Sequence, residues 1–222
     1  MAGAKLIEDK KLGDLILLDD GLQHRALARN VEIVAIDVSS PRAVEEFTAG
    51  KLLPLGMLRE EREHALRRAH IVVLNHRAPK IEGSKSVDSI LSLLPREVSV
   101  FQSFVRISSV SERGTGEALP PGGEIVALCA LGNPEGFFST VKTLGTPVTQ
   151  CIAKGDHKAF SAEELLTIQS KNSKAALVCS EKDAVKLPKD LKTKIYVLSI
   201  DLVIDDAGAF IEKIISRVRA QL

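Results

Sequence analysis

The sequence predicts an α/β protein with a mostly parallel sheet and a second, smaller α/β domain. Short runs rich in Val, Ile and Leu recur along the chain. They are nearly continuous rather than alternating in apolar character, which is typical of strands buried on both faces. Helix-like segments separate these runs, and such alternation favours parallel strands joined by helical crossovers. A long strand-like stretch at 98–112, followed by the turn-rich GTGEALPPGG, interrupts the alternation and predicts a domain junction.

Each predicted element follows from its local pattern. The predicted strands are DLILLDD (14–20), VEIVAID (31–37), HIVVLN (70–75), EIVALCALG (124–132), AALVCSEKD (175–183) and KIYVLSID (194–201). The predicted helices are Leu58–Arg68, Val87–Leu94, Pro134–Leu144, Ser161–Gln169 and Asp206–Arg219. The last helix has apolar residues at helical spacing and should cover one face of a sheet. We expect a first domain over residues 1–95 and a second over residues 96–222.

The composition is that of a folded protein with nearly balanced charge. The chain has 222 residues, of which 45% are hydrophobic and 27% are charged. Its 30 basic and 29 acidic residues give a net charge of +1, so the charge balance gives no general reason to expect nucleic acid as a partner. Any anion that the protein binds must therefore be held locally.

The cysteines and the hydropathy pattern indicate a cytoplasmic setting. Cys129, Cys151 and Cys179 are widely spaced and odd in number, which argues against a disulfide framework or a zinc site. We expect buried free thiols in a reducing compartment. No run approaches the ~18 apolar residues of a spanning helix, and the start lacks the apolar core of a signal peptide.

The most informative stretch is LILLDDGLQH, from Leu15 to His24, where an apolar run ends in two carboxylates and a glycine. In open α/β sheets, ligands collect at the carboxyl ends of strands, so Asp19 and Asp20 are placed where a site forms. Hard cations such as Mg²⁺ take one or two protein carboxylates and complete their shell with water and phosphate oxygens. Gly21 would let the chain turn sharply after the strand. The alternative is that the two aspartates cap a helix or solvate a loop.

Five segments in order resemble the tetraacyldisaccharide 4'-kinase family, the lipid A 4'-kinases. The family shares a DDG(F/L)QH signature followed by a basic stretch and a strand, and then LLPAGxLRE, GIGNPExFF, PDHHxFTxxDL and TEKDAVK elements. The matching segments here are DDGLQHRALARNVEIVAID (19–37), KLLPLGMLRE (51–60), LGNPEGFF (131–138), GDHKAFSAEEL (155–165) and SEKDAVKL (180–187). The resemblance covers nearly the whole chain and implies a mostly parallel sheet of the P-loop kinase type.

The resemblance also implies roles for particular residues. The aspartate pair that acts in Mg²⁺–ATP binding and catalysis falls on Asp19 and Asp20, and a glutamate near the metal falls on Glu60. The histidine implicated in catalysis beside a general base falls on His157. Three residues inside the same signatures are weaker candidates for cofactor binding: Gln23, His24 and Arg59.

Ordinary structural roles compete with several of these assignments. Arg59 beside Glu60 offers a phosphate-binding fork next to a carboxylate, but an Arg-Glu pair also commonly opens a helix as a solvated first turn. His157 could orient a base near neutral pH, or it could be a surface residue.

Two further motifs are interpreted as helix starts. In GNPEGFF, an Asn-Pro pair should cap and begin a helix whose phenylalanines pack on the sheet, with nucleotide or acyl-chain contact as the alternative. In SEKDAVKL, Ser180 and Asp183 should form a capping box.

The sequence also departs from the family pattern. The family begins with a Gly-rich Walker A loop, and only eighteen residues, without such a loop, precede Asp19. The family's proposed base, an aspartate upstream of DDGLQH, is likewise not found. Locally, Lys158 replaces a histidine, Arg29-Asn30 an Arg-Asp pair, and Thr48-Ala49-Gly50 a Gly-Asn-Gly. A truncated chain, half of a split enzyme and a degenerate relative would each explain these differences.

The expected function is therefore that of a tetraacyldisaccharide 4'-kinase, or a fragment or subunit of one, which is inactive as the isolated chain. Such an enzyme transfers the ATP γ-phosphate to the 4'-hydroxyl of tetraacyldisaccharide 1-phosphate in lipid A biosynthesis, with ATP and Mg²⁺ as cofactors. The implied workplace is the cytoplasmic face of the inner membrane, bound peripherally, with a further N-terminal segment or subunit as a partner. The alternative is a non-catalytic relative that binds lipid or a partner protein.

Overall fold

A computed structural model describes residues 10, 13, 15–80, 87–132, 134–155 and 158–220. The strands are β1 (Ile33–Asp37), β2 (Ile71–Asn75), β3 (Ser99–Glu112), β4 (Glu124–Cys129), β5 (Val148–Ala153), β6 (Ala175–Ser180) and β7 (Ile195–Ile204). The helices are α1 (Pro41–Ala49), α2 (Arg62–Arg68), α3 (Asp88–Leu91), α4 (Pro134–Lys142), α5 (Ala162–Lys171), α6 (Glu181–Ala184) and α7 (Ala207–Arg219). None of the helices in these ranges is long and apolar enough to cross a bilayer.

The chain divides into two compact units. Unit 1 comprises Met1–Asn75, Lys85–Gln102 and Ile204–Leu222, and unit 2 comprises His76–Ser84 and Ser103–Val203. Because α7 belongs to unit 1, this division is not a single cut along the chain. The predicted domain boundary near residue 95 stays a prediction.

Unit 1 is built around β1 and β2, which pair in parallel, and β3 follows β2 in the strand order. Its apolar core is formed by side chains of β1, β2, α2 and α3, namely Val34, Ile36, Leu66, Val72, Leu74 and Ile90. The parallel register aligns Asp37 at the end of β1 with Asn75 at the end of β2. The carboxyl ends of both strands therefore meet at one edge.

Unit 2 contains strands in the order β3-β7-β6-β4-β5, in which β4 pairs in parallel with β5 and β6, and β6 with β7. Alternate side chains of β4 serve two cores. Ile125 and Ala127 pack with Phe137 of α4, whereas Val126 and Leu128 pack with residues of α5 and α6. The helices that follow β4 and β6 therefore cover opposite faces of the sheet. The mostly parallel α/β fold predicted from the sequence is confirmed.

The predicted first strand, DLILLDD, is wrong. In its described part, residues 15–20, the backbone is irregular and then turns, and Leu15, Ile16, Leu17 and Leu18 are each more than 40% exposed. A strand forms only when its backbone groups pair with a neighbour, and within the described residues no strand pairs with this segment. Apolar character alone therefore did not decide its conformation.

Other predicted elements differ in extent. The helix predicted from Leu58 begins at Arg62, so Arg59 and Glu60 lie in the bend before it rather than in its first turn. Pro134 is the first residue of α4, and the buried Phe137 packs on the sheet as expected. The Ser180 capping interaction is also confirmed, because the Ser180 hydroxyl accepts the amide N–H of Asp183.

Candidate functional site

The DDGLQH segment forms a turn whose shape depends on two consecutive residues. Asp20 has a left-handed backbone, with φ of 49°. Gly21 is required for a different reason, since a Cβ there would lie 2.7 Å from the Cβ of Leu18. The Arg29 guanidinium donates to the carbonyl of Gly21 and pairs with Glu32 at 2.8 Å. The turn is thereby tied to the start of β1.

A cleft of about 340 Å³ in unit 1 collects most of the predicted site residues of this region. We call it the Glu60 cleft, and its polar lining consists of Asp20, Gln23, Asp37, Glu46, Arg59, Glu60 and Arg62. Its floor is apolar and includes Val34 and Ile36 of β1 and Phe47 of α1. An apolar pocket with a few convergent polar groups is the usual form of a small-molecule site, commonly of roughly 300–1,000 Å³.

Helix α1 forms one wall of this cleft, and both of its ends are fixed. The Ser40 hydroxyl accepts the amide N–H of Ala43 at 3.1 Å. At the other end, Gly50 has a left-handed φ of 66°, which suits a residue without a Cβ. Arg62 donates to the carbonyls of Phe47 (3.2 Å) and Thr48 (2.7 Å) and so joins the end of α1 to the start of α2.

The carboxylate of Glu60 is the centre of the polar network. Arg68 donates to both of its oxygens, at 2.8 and 2.9 Å, while Gln23 donates at 3.0 Å and Arg25 at 2.9 Å. Arg68 also lies 3.4 Å from Glu32. These hydrogen bonds, above all that from Arg68, lower the pKa of Glu60 against the opposing effect of burial. Both oxygens of Glu60 are therefore engaged by donors in this structure, and its predicted role near a metal stays a prediction.

Asp20 is paired differently, with an exposed cation. The Arg59 guanidinium donates to its Oδ2, and this contact raises the pKa of Arg59. Asp19 and His24 are exposed, and neither is among the residues that line the Glu60 cleft. The structure thus brings together Asp20, Gln23, Arg59 and Glu60, and leaves Asp19 and His24 outside.

Sequence reasoning missed several residues of this site. Asp37 ends β1 and lines the cleft, and the rule that pointed to Asp19 and Asp20 would also have found it. Arg25 and Arg68, which hold Glu60, carried no signal because nothing in their spacing links them to that residue. They meet it only because α2 folds back beside the turn.

The chemistry of the Glu60 cleft suits a metal–nucleotide complex. In the described part of the chain, no group of three or more His, Cys, Asp or Glu side chains is placed to hold a metal ion. Mg²⁺ bound with a nucleotide needs only one or two protein carboxylates, however, and Asp20 lines the cleft, while the adjacent carboxylate of Asp19 lies outside its lining. Arg59 beside Asp20 adds a guanidinium that can donate to phosphate oxygens.

Unit 2 has a second place where a site is expected. The helices after β4 and β6 cover opposite faces, and in open α/β sheets the carboxyl ends of such strands are where a ligand site is expected. The carboxylate of Asp183, which is 2% exposed, lies there and accepts from the Ala130 amide (3.1 Å) and the Ser180 hydroxyl (2.6 Å). His157, predicted to be catalytic, and Asn133, the predicted cap of α4, lie outside the described residues.

The cysteines follow the predicted pattern only in part. All three are free thiols, and Cys129 and Cys179 are buried. Burial, with a further contribution from the charge of Asp183, raises the pKa of Cys129 to about 11 and that of Cys179 to about 12. The expectation of a buried thiol is wrong for Cys151, which is exposed and lies on β5, a strand in which no residue is fully buried.

Comparison with known proteins decides the family. The sequence model of the LpxK family, described as tetraacyldisaccharide-1-P 4'-kinase, matches residues 1–219. This chain belongs to that kinase family. Its curated relatives include the tetraacyldisaccharide 4'-kinase of Anaeromyxobacter dehalogenans (strain 2CP-1 / ATCC BAA-258), which is 38% identical over 182 residues. That match covers 78% of this chain and 46% of the relative. The enzyme of Maricaulis maris (strain MCS10) is 30% identical over 94% of this chain and 57% of its own length.

The fold comparison agrees with this assignment. A crystal structure of LpxK from Aquifex aeolicus in complex with ATP superposes with a TM-score of 0.58 at 22% identity, covering 89% of this chain and 55% of the other. The family resemblance stated from the motifs is thus confirmed. The chain spans about half the length of the curated relatives that it matches.

Proposed function

We propose that this chain supplies part of the active site of a tetraacyldisaccharide 4'-kinase, which moves the ATP γ-phosphate to the 4'-hydroxyl of tetraacyldisaccharide 1-phosphate in lipid A biosynthesis. The observation that carries the proposal is the convergence of two separate segments on one cleft. Asp20 and Gln23 come from the DDGLQH turn, and Arg59 and Glu60 come from the LRE segment, 35 or more residues later.

Each group has a definite task in this proposal. Mg²⁺ bound with ATP would neutralise charge on the transferring phosphoryl group, and Asp19 and Asp20 would be its protein ligands. Arg59 would release Asp20 to donate to phosphate oxygens. Glu60, held by Arg68, would keep the DDGLQH turn and the LRE segment in fixed positions relative to each other. Phosphoryl transfer depends mostly on positioning and charge stabilisation, which is what such a network provides.

His157 belongs to the same proposal through the family motif alone. Its expected task is to orient or tune a general base, and its replacement by alanine should lower turnover more than ATP affinity. The workplace that we propose is the cytoplasmic face of the inner membrane, where the enzyme binds peripherally and meets its lipid disaccharide substrate.

The test places this chain in a complete kinase. The matching part of the Anaeromyxobacter dehalogenans enzyme is replaced by this chain, and transfer of labelled phosphate from ATP to tetraacyldisaccharide 1-phosphate is measured. We expect activity that falls by ~100-fold or more in Asp20→Asn, on the scale of losing a key electrostatic group. Asp190→Asn, at an exposed aspartate of unit 2, is the matched control and should keep full activity.

The outcomes separate the function from the site assignment. An active chimera in which Asp19→Asn and Asp20→Asn both retain full turnover would refute the metal-site assignment while leaving the kinase function in place. A folded chimera that neither binds Mg²⁺–ATP nor phosphorylates the acceptor, while the parent enzyme does both, would refute the kinase function for this chain. That result would favour the non-catalytic relative that binds lipid or a partner protein.

A further inference from the structure

A second cleft in unit 1 is basic and lies away from the Glu60 cleft. It has a volume of about 220 Å³, and its charged or titratable lining residues are Arg67, His70, Glu97, Lys213 and Arg217. We call it the basic cleft. It is formed by the last turn of α2, the residue before β2 and the second half of α7. Since His70 precedes β2, the basic cleft lies at the amino end of that strand, whereas the Glu60 cleft includes Asp37 at the carboxyl end of β1.

The cations of the basic cleft differ from their neighbours in having no carboxylate partner. Within the described part of the chain, Lys213 and Arg217 form no ion pair, and Arg67 hydrogen-bonds only through its Nε to the carbonyl of Glu63 (3.3 Å). By contrast, the nearby Arg68 is paired with both Glu60 and Glu32. The basic cleft therefore presents three guanidinium or ammonium groups that are free to bind an external anion, against the single carboxylate of Glu97.

The positive surface continues beyond this cleft. An adjoining open depression shares Arg67 and His70 with it and is also lined by Arg25, Arg29, Arg68 and Glu32. Taken together, the two depressions are lined by six permanent cations and two carboxylates. In a chain of net charge +1, this is a strong local concentration of positive charge.

His70 adds an oriented donor to the cleft. Its Nδ1 accepts the backbone N–H of Glu32 at 2.9 Å, so the neutral ring carries its proton on Nε2. Burial, and then the nearby charge of Arg217, lower the pKa of His70. The ring is therefore neutral at pH 7 and still donates one hydrogen bond.

We propose that the basic cleft binds a phosphate group through Arg67, His70, Lys213 and Arg217. Guanidinium groups match the geometry of phosphate oxygens, and their charge-assisted hydrogen bonds are stronger than neutral ones. The volume is below the roughly 300–1,000 Å³ of sites for larger ligands, so it suits a single phosphate group rather than a nucleotide. Such a group can come from a small phosphorylated molecule or from the headgroup of an anionic phospholipid.

The test compares two arginines in the last turn of the same helix. Arg217 lines the cleft, whereas Arg219 does not. Arg217→Ala and Arg219→Ala therefore each remove one positive charge, but only Arg217→Ala removes it from the cleft. Inorganic phosphate is titrated in place of chloride at constant ionic strength. Its affinity is measured from the change in the NMR signals of the His70 ring, which lines the cleft. In a parallel arm, sedimentation with phosphatidylglycerol/phosphatidylcholine vesicles is compared with sedimentation with phosphatidylcholine alone.

The expected result is an affinity about tenfold weaker in Arg217→Ala, as for the loss of one charged hydrogen bond, with Arg219→Ala unchanged. If Arg217→Ala weakens the binding of inorganic phosphate but not of vesicles, the ligand is a small phosphorylated molecule. If Arg217→Ala also weakens sedimentation with the vesicles that contain phosphatidylglycerol, the ligand is a lipid headgroup. Equal effects of the two substitutions in both arms, or no binding of either probe by the unmodified chain, would overturn the proposal. If the Arg217→Ala variant does not fold, the same measurements are made with Arg67→Ala, which removes a cation of the basic cleft that lies on α2.

Discussion

Glu60 in unit 1 and Asp183 in unit 2 are both carboxylates in segments that match the kinase family, yet they are held in opposite ways. Glu60 is partly exposed and accepts from two arginines and a glutamine. Asp183 is buried, with only a backbone amide and a hydroxyl as donors, and its Oδ1 has no partner in the described structure. Glu60 is thus held mainly by charged donors, and Asp183 by hydrogen bonds from neutral donors in a buried environment.

This difference separates two kinds of family motif. Asp183 links the residue after β4 to the first turn of α6, which gives its segment a structural role in the fold. Glu60 lies between elements, at a cleft, where three side chains share its charge. A ligand can compete for such a shared charge, whereas it cannot reach a carboxylate that is 2% exposed. Exposure therefore favours the Glu60 segment over the Asp183 segment as the one that a ligand can contact.

The largest effect is expected for Asp183→Ala. The substitution leaves the buried Ala130 amide without an acceptor and should lower the free energy of unfolding by about 3 kcal/mol, as for other broken buried networks. Urea denaturation measures this change. Asp190→Ala, at an exposed position, should cost less than about 0.5 kcal/mol. A loss below about 1 kcal/mol in Asp183→Ala would show that the buried hydrogen bonds of this carboxylate do not stabilise the fold as argued.

A smaller effect is expected for Glu60→Gln, about 1–2 kcal/mol at pH 7, because glutamine still accepts hydrogen bonds but no longer balances Arg68 and Arg25. The pKa of Glu60 is lowered in the folded protein, so its stabilisation is complete above the unfolded pKa of about 4.3 and is lost as the pH falls through the folded value. The difference between wild type and variant should therefore disappear in acid. Glu45→Gln, on the exposed side of α1, is the control. A difference that persists at pH 2 would contradict the ion-pair explanation.

A still smaller effect is expected for Arg25→Ala. The Arg25 side chain is 62% exposed, and exposed ion pairs typically contribute about 0.2–1 kcal/mol. The loss should shrink further in 1 M salt because exposed charges are screened. Thermal unfolding at low and high salt measures both quantities. The causes that lower the pKa of Glu60 place the hydrogen bond from Arg68 before that from Arg25. If Arg25→Ala lowers the free energy of unfolding as much as Arg68→Ala does, this order is wrong.

The last prediction changes reactivity rather than stability. With pKa values of about 11 and about 12, the thiols of Cys129 and Cys179 should not react at pH 8, whereas the exposed Cys151 should react at once. Labelling with a thiol-specific disulfide reagent should therefore count one cysteine in the native protein and three in urea. Rapid labelling of all three in the native state would mean that the core around Cys129 and Cys179 opens readily.

The buried strands of the fold could be predicted from the sequence because continuous apolar runs identify them. Strands β1, β2, β4, β6 and β7 each coincide with such a run. Strand β5, VTQCIA, was missed because Thr149 and Gln150 interrupt its apolar run, and none of its residues is fully buried. Helix α1 was missed although its start carries the usual signals, a serine cap at Ser40 followed by Pro41 at the first helical position.

The candidate site was predictable where a single segment carries it. The DDGLQH turn was identified from its own residues, and the family pattern pointed to Arg59 and Glu60. The partners of Glu60 were not predictable, since Arg68 reaches it only through the fold of α2. The assignment of LILL before Asp19 to a buried strand failed for the related reason that burial depends on neighbours that a local pattern does not contain.

The basic cleft has a practical consequence for handling the protein. A net charge of +1 suggests weak retention on ion exchangers near neutral pH, but adsorption depends on the charge that faces the resin. At 0.15 M salt, charges farther apart than about 8 Å are largely screened from each other, so adsorption depends on local charge. Of the six clustered cations, Arg25, Arg29 and Arg68 are paired with Glu60 or Glu32, whereas Arg67, Lys213 and Arg217 form no ion pair within the described residues. The chain should bind a cation exchanger in one orientation, and polyanionic contaminants should accompany it through purification unless it is washed at high ionic strength.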